Sequence, residues 1–152
     1  MPKILIASIT ALIFFSFFAV AQQRTDVNSP ASARLLLGRH RFSLQWVSWD
    51  YFGTANVTNR GGIYSIRGEQ KGRGKGATDF VKIDGNITSI DAKEFGFSGK
   101  ITTRVGHING GKPCIRDGEF TFKITGKRKY WRLQQMDNPC DPVTDYVDIY
   151  FK

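Results

Sequence analysis

Apolar and polar side chains alternate along most of this chain, with a period of two. Phe42, Leu44 and Trp46 alternate with Arg41, Ser43 and Gln45. Ala55 and Val57 lie in a shorter run, Tyr64 and Ile66 in the next, and Val81 and Ile83 lead towards Ile87. Phe95, Phe97, Ile101, Thr103 and Val105 share one parity, with Ser98, Lys100, Thr102 and Arg104 on the other. Phe120, Phe122 and Ile124 alternate with Thr121 and Lys123, Trp131 and Leu133 follow, and Val147, Ile149 and Phe151 alternate with Tyr146, Asp148 and Tyr150. Such alternation places successive side chains on opposite faces of a strand. Gly, Asn and Asp clusters separate the runs, as turns require. Short turns imply antiparallel neighbours, because parallel strands need long crossovers, and one dry and one wet face per strand fit the same arrangement. The pattern therefore predicts an all-β fold: a single antiparallel up-and-down β-barrel or a tight β-sandwich of about eight strands.

Two local features sharpen this picture. The stretches "IDGNIT" (83–88) and "FSGKIT" (97–102) share the form apolar-x-Gly-x-Ile-Thr. Glycines inside strands mark bends where a sheet coils, and coiling lets a sheet close and lose its edges. In "FTFKITGKRKYWRLQ", Gly126-Lys127 suits the centre of a two-residue turn. That turn would oppose Phe122 to Trp131, Phe120 to Leu133 and Lys123 to Tyr130. Trp131 and Leu133 then belong to the core, while Lys123, Arg128, Tyr130 and Arg132 belong to the outer face. The same register brings Cys114 to within one position of Cys140, so these cysteines are expected to form a disulfide across the open end of the hairpin. Such a bridge contributes about 3 kcal/mol by loop entropy.

The ends and the composition bear on compartment. Lys3, the apolar run "ILIASITALIFFSFFAV" (4–20) and the small-residue triplet Ala19-Val20-Ala21 have the layout of a cleaved signal peptide. The expected organisation is a signal peptide at 1–21, a flexible leader at 22–34 and an antiparallel β domain at 35–152. No membrane span is expected to be retained, and the protein is expected to be periplasmic or secreted, where a disulfide persists. The chain has 22 Lys and Arg against 13 Asp and Glu, a net charge of +9. Outside the cytoplasm such a protein meets anionic polysaccharide, lipid headgroups and acidic protein surfaces.

Candidate chemistry is that of binding. "KGRGKG" (71–76) presents Lys71, Arg73 and Lys75 on a glycine-rich loop able to wrap an anion, although it lacks the P-loop spacing. Lys123, Arg128, Tyr130 and Arg132 combine cations with an aromatic ring on one strand face. Tyr146, Asp148 and Tyr150 share another, a hydrogen-bonding trio if that face lines a cavity. Asp145 and Asp148 are three apart, so on a strand they point to opposite faces and do not form an acid–base couple. The sequence has two histidines, no G-x-S-x-G and no H-E-x-x-H, so neither a serine nucleophile nor a metal cofactor is expected. No nucleic-acid motif is present. Asn56-Val57-Thr58 and Asn86-Ile87-Thr88 match the glycosylation sequon.

The stretch "GRHRFSLQWVSW" resembles the entry strand of calycin-type barrels, the lipocalin and avidin-like group, although Gly38 and Trp46 stand farther apart than that group's Gly-x-Trp. The closing "YWRLQQMDNPCDPVTDYVDIYF" resembles the C-terminal end of small secreted bacterial β-rich proteins with no assigned activity. The calycin resemblance implies a non-enzymatic binding protein holding a small apolar or aromatic ligand inside its barrel. The alternative is an envelope interaction protein or inhibitor that engages a polyanion or a protein partner through a basic face. An outer-membrane barrel is disfavoured, because several runs are shorter than the nine to eleven residues, or about that, a span needs.

Overall fold

The structure is a computed structural model and describes residues 22–152. The signal-peptide reading of residues 1–21 lies outside the described residues. Among the described residues, no helix is long and apolar enough to cross a membrane.

The elements are β1 (Asp26–Val27), α1 (Pro30–Leu36), β2 (Gly38–Leu44), β3 (Gly53–Arg60), β4 (Ile63–Lys71), β5 (Phe80–Ile90), β6 (Glu94–Arg104), β7 (Cys114–Lys123), β8 (Tyr130–Leu133) and β9 (Val147–Tyr150). Strands β2 to β9 form an antiparallel meander, and β2 pairs with β9 to close it into an eight-stranded barrel. β1 adds as a short parallel strand on β5.

The alternating apolar set points inward. Phe42, Leu44, Ile66, Ile83, Phe97, Ile101, Phe122, Leu133 and Ile149 are at most 1% exposed. Each such side chain contributes about 1.5–3 kcal/mol by leaving water. Trp131 is 2% exposed and packs edge-on against Phe95, with ring centroids 6.0 Å apart. Trp46, by contrast, lies beyond the end of β2 and is only half-buried. In β5 a bulge between Ile87 and Ser89 shifts the parity, so that Ile87 and Ile90 are both buried.

The paired glycine motifs sit side by side, with Gly85 opposite Gly99 across β5 and β6. A β-carbon on Gly85 would lie 2.3 Å from the Ser98 carbonyl oxygen and 2.7 Å from the Phe97 ring. Only glycine permits that approach, and the Phe97 ring uses the space.

Three expectations need correction. Residues 22–34 do not run free of the domain. Thr25 Oγ1 donates to the Ile87 carbonyl (2.6 Å) and accepts from the Tyr64 amide (2.9 Å), and Asn28 N–H donates to Ile90 O. Ser29 then caps α1, with Pro30 in its first turn, and Ala33 and Leu36 join the core. "KGRGKG" is not an open loop: a single 3-10 turn at Gly74–Gly76 is closed by the Gly72 amide donating to Asp79 O at 2.7 Å. The hairpin register differs by two residues, with Phe122 opposite Leu133 and Lys123 opposite Arg132. The Gly126-Lys127 turn is present, with Arg128 N–H donating to Thr125 O at 3.4 Å, and the two extra residues lie after it, where Lys129 O accepts from Phe151 N–H at 2.9 Å and Tyr130 pairs with Tyr150. A shift of two preserves parity, and every residue keeps its expected face. The disulfide Cys114–Cys140 forms as expected, with Cα atoms 5.9 Å apart.

Candidate anion-binding face

The functional candidates converge where the barrel closes. At the seam of β8, β9 and β2 the outer face is laid out in cross-strand rows. The first row runs Glu94, Lys123, Arg132, Asp148, Ser43. Lys123 pairs with Glu94 at 3.3 Å. Arg132 binds Asp148 in fork geometry, Nε to Oδ1 and Nη2 to Oδ2, each 2.7 Å. The Tyr146 ring lies 4.1 Å from the Arg132 guanidinium carbon and the Tyr130 ring 5.2 Å. These covers explain how Asp148, on an outer face, is fully buried. The hydrogen bonds that Arg132 donates to Asp148 hold its guanidinium above its already high ordinary range, against the opposing effect of burial.

The second row is aromatic. Tyr130 pairs with Tyr150, their ring centroids 5.3 Å apart. The Arg41 guanidinium lies over both Tyr150 (5.3 Å) and Phe52 (4.8 Å). Arg128 reaches the Tyr130 ring at 5.6 Å. The Tyr150 hydroxyl is within 3.3 Å of Ser43 Oγ, and burial raises its pKa above the ordinary tyrosine value.

Elsewhere on the wall several cations are paired across neighbouring strands. Arg67 meets Asp84 at 2.9 Å, Lys82 meets Glu69 at 3.3 Å and Lys100 meets Asp117 at 3.7 Å. Exposed pairs of this kind contribute little stability, but they cancel the local field. Among the described residues, Arg39, Arg41, Arg128 and Lys129 make no ion pair and are exposed. These four cations therefore stand together, without carboxylate partners, at one end of the seam.

The structure thus unites Arg128, Tyr130, Arg132, Tyr146, Asp148 and Tyr150, with Lys123 beside them. It does not unite them with Lys71, Arg73 and Lys75. That turn stands at the end of the barrel where β2 finishes, where Lys71 pairs with Glu69 (3.6 Å) and Arg73 lies 4.2 Å from the Tyr51 ring. Arg39, Arg41 and Lys129 were not singled out from the sequence. The signal was there in "GRHRF", which sets two arginines on one face of β2 with His40 and Phe42 on the other.

A second polar cluster, also not foreseen, lies inside the barrel beside the disulfide. Asp145 is 1% exposed, accepts from Asn138 Nδ2 at 3.0 Å and faces Arg116 Nη1 at 3.9 Å. Arg116 Nη2 donates a hydrogen bond to Gln135 O, while its Nη1 is buried without a hydrogen-bond partner. Burial raises the Asp145 pKa, which Asn138 and Arg116 only partly oppose, and burial lowers that of Arg116. Asp145 and Asp148 occupy different sites, as their spacing required. Among the described residues, no group of three or more His, Cys, Asp or Glu is placed to hold a metal ion.

These features define a small disulfide-clamped, closed antiparallel barrel with a filled interior and a cationic–aromatic outer seam. The chain belongs to the PM1083 family, whose model matches residues 24–151. It is 43% identical over 151 residues to "Uncharacterized protein PM1083" of Pasteurella multocida (strain Pm70), covering 99% of this chain and 96% of that protein. No solved structure matches the chain, and the resemblance of its first strand to calycin barrels gains no support from these comparisons.

Proposed function

We propose that this protein is a non-enzymatic binding protein of the periplasm or cell exterior, which engages anionic ligands through the cationic end of its closing seam. The observation that carries this reading is the uneven compensation of charge. Arg67, Lys82, Lys100 and Lys123 have carboxylate partners on a neighbouring strand, whereas Arg39, Arg41, Arg128 and Lys129 stand together without one, two of them over aromatic rings. Arg132 is not a free cation, because Asp148 occupies its fork; its role is to fix the tyrosines that frame the site. A guanidinium held over rings is partly desolvated and oriented before a ligand arrives, which strengthens its hold on an anion. The disulfide and the absence of a spanning helix among the described residues fit a protein working outside the cytoplasm.

The interior offers less support for an apolar guest. Its aromatic and aliphatic groups fill it, with Phe95 and Phe122 stacked 5.0 Å apart and Phe151 4.5 Å from Trp131. Immobilised heparin serves as a polyanion probe. The protein should be retained and elute with salt, Arg39→Ala/Arg41→Ala should elute much earlier, and Arg67→Ala/Lys100→Ala should elute with the parent. Retention of the parent no greater than that of a neutral protein, or equal loss in both variants, would remove this reading.

A further inference from the structure

Beside the free cations lies a groove of about 820 Å³ between α1 and the end of the seam. Its rim is basic: Arg39, Arg41, Lys129 and Lys152 line it, and no carboxylate side chain does. Its walls are apolar: Leu35, Tyr150 and Phe151 supply them, and Leu35 is 36% exposed although its neighbour Leu36 is buried. The walls are held in place from below. His40, 3% exposed, sets one ring nitrogen 2.7 Å from the Leu36 carbonyl oxygen and the other 2.8 Å from that of Tyr150, and so joins the end of α1 to the end of β9. On the far side the Phe151 amide donates to Lys129 O at 2.9 Å, and Lys152 Nζ donates to Leu37 O. The groove is built on hydrogen-bonded backbone and is open before anything binds.

A rim of four cationic side chains without an acidic one favours an anion, and a simple polyanion has no use for the leucine and aromatic walls. Ligand sites of this volume are usually apolar clefts with a few polar groups that fix orientation. We propose that the groove takes a single-chain anionic amphiphile, its phosphate or carboxylate head held by Arg39 and Arg41 and its hydrocarbon chain laid along Leu35, Tyr150 and Phe151. This rests on the anion-binding reading above and names the ligand class for it. Charge complementarity excludes a cationic or zwitterionic head as the preferred partner. The exposed Leu35 excludes an inorganic anion as the full ligand.

The probes are hexyl, octyl and decyl phosphate, titrated calorimetrically into the full-length protein below their micelle-forming concentrations. Affinity should rise about three- to fourfold per added methylene, the ratio that removing one CH₂ from water gives. Inorganic phosphate at the same concentration should not compete, and octyl glucoside should bind at least tenfold more weakly than octyl phosphate, a difference of about 1.4 kcal/mol. Leu35→Asn, at a partly exposed position, should keep the melting temperature and the heparin retention while flattening the dependence on chain length. Affinity independent of chain length, equal binding of octyl glucoside, or an unchanged dependence in Leu35→Asn would overturn the proposal. Chain-length dependence that survives Arg39→Ala/Arg41→Ala with undiminished affinity would instead bring down the anion-binding reading and leave an apolar groove. Heparin retention without alkyl phosphate binding would bring down only the amphiphile.

Discussion

The Arg132–Asp148 pair is where burial and charge meet most sharply, and truncating either partner has a calculable cost. Their side chains are 14% and 0% exposed, and both carboxylate oxygens are used by one guanidinium. Removing one partner of a buried pair leaves the other charge without solvent or counter-ion, which costs about 3–5 kcal/mol. The two truncations are not equivalent. Arg132→Ala strands a carboxylate that water cannot reach and removes the ring contacts at Tyr146, contacts of a kind contributing about 0.5–2 kcal/mol. Asp148→Ala strands a guanidinium that keeps both tyrosine faces and some access to solvent. Arg132→Ala should therefore sit at the upper end of the range and Asp148→Ala at the lower. A small domain has about 5–15 kcal/mol in all, so the arginine variant should be only marginally folded. Its melting temperature should drop by on the order of 10–20 °C. Urea denaturation of the parent, both single variants and Arg132→Ala/Asp148→Ala measures this directly. The double variant should cost less than the sum of the two by about 1–3 kcal/mol, because the second truncation removes the stranded charge. An Arg132→Ala cost below about 1 kcal/mol, the range of an exposed pair, or strict additivity, would refute the view that this pair is a buried frame.

Gly85→Ala should destabilise the protein by about 1–3 kcal/mol, since the new methyl meets the Ser98 carbonyl and the Phe97 ring; thermal melting within error of the parent would show that β5 and β6 can part at that point. Asp145 governs a pH dependence. Its folded pKa is raised above the ordinary 3.8 by burial, so the folded state holds the proton more tightly than the unfolded chain. Its contribution is fully present below the unfolded pKa and is lost as pH rises towards the folded one. Compared with Asp145→Asn across that acidic window, the parent should lose relative stability as pH increases; a parallel or opposite trend in urea midpoints contradicts the assignment.

The faces of the strands were legible in the sequence because a filled barrel gives every wall strand one dry side. Phe95, Phe97 and Ile101 could be placed inside by parity alone. Register was legible only modulo two. Phe122 opposite Trp131 and Phe122 opposite Leu133 satisfy the same alternation, and the choice fell where Lys129 and Tyr130 pair with the last strand, far along the chain. The leader misled for a similar reason. Its composition is polar, yet one threonine hydroxyl at Thr25 bridges two strands far along the chain. Tyr130, Tyr146, Asp148 and Tyr150 were recognisable as outer or cavity-facing groups, but which cations remain free was not. Compensation is made between strands, 17 residues apart for Arg67 and Asp84 and 16 for Arg132 and Asp148. A count of lysines and arginines cannot separate a neutralised wall from a charged one.

The seam between β2 and β9 also sets the order in which the molecule can come together. Every other wall pairing joins strands adjacent along the chain, while this one bridges Phe42 and Ile149. Until the last strand arrives, the sheet has two raw margins, and the cationic and aromatic groups of the seam exist only as scattered halves on opposite borders. The joined seam is therefore the last part of the wall to be completed: a chain clipped before residue 147 carries most of the wall and lacks that closed face.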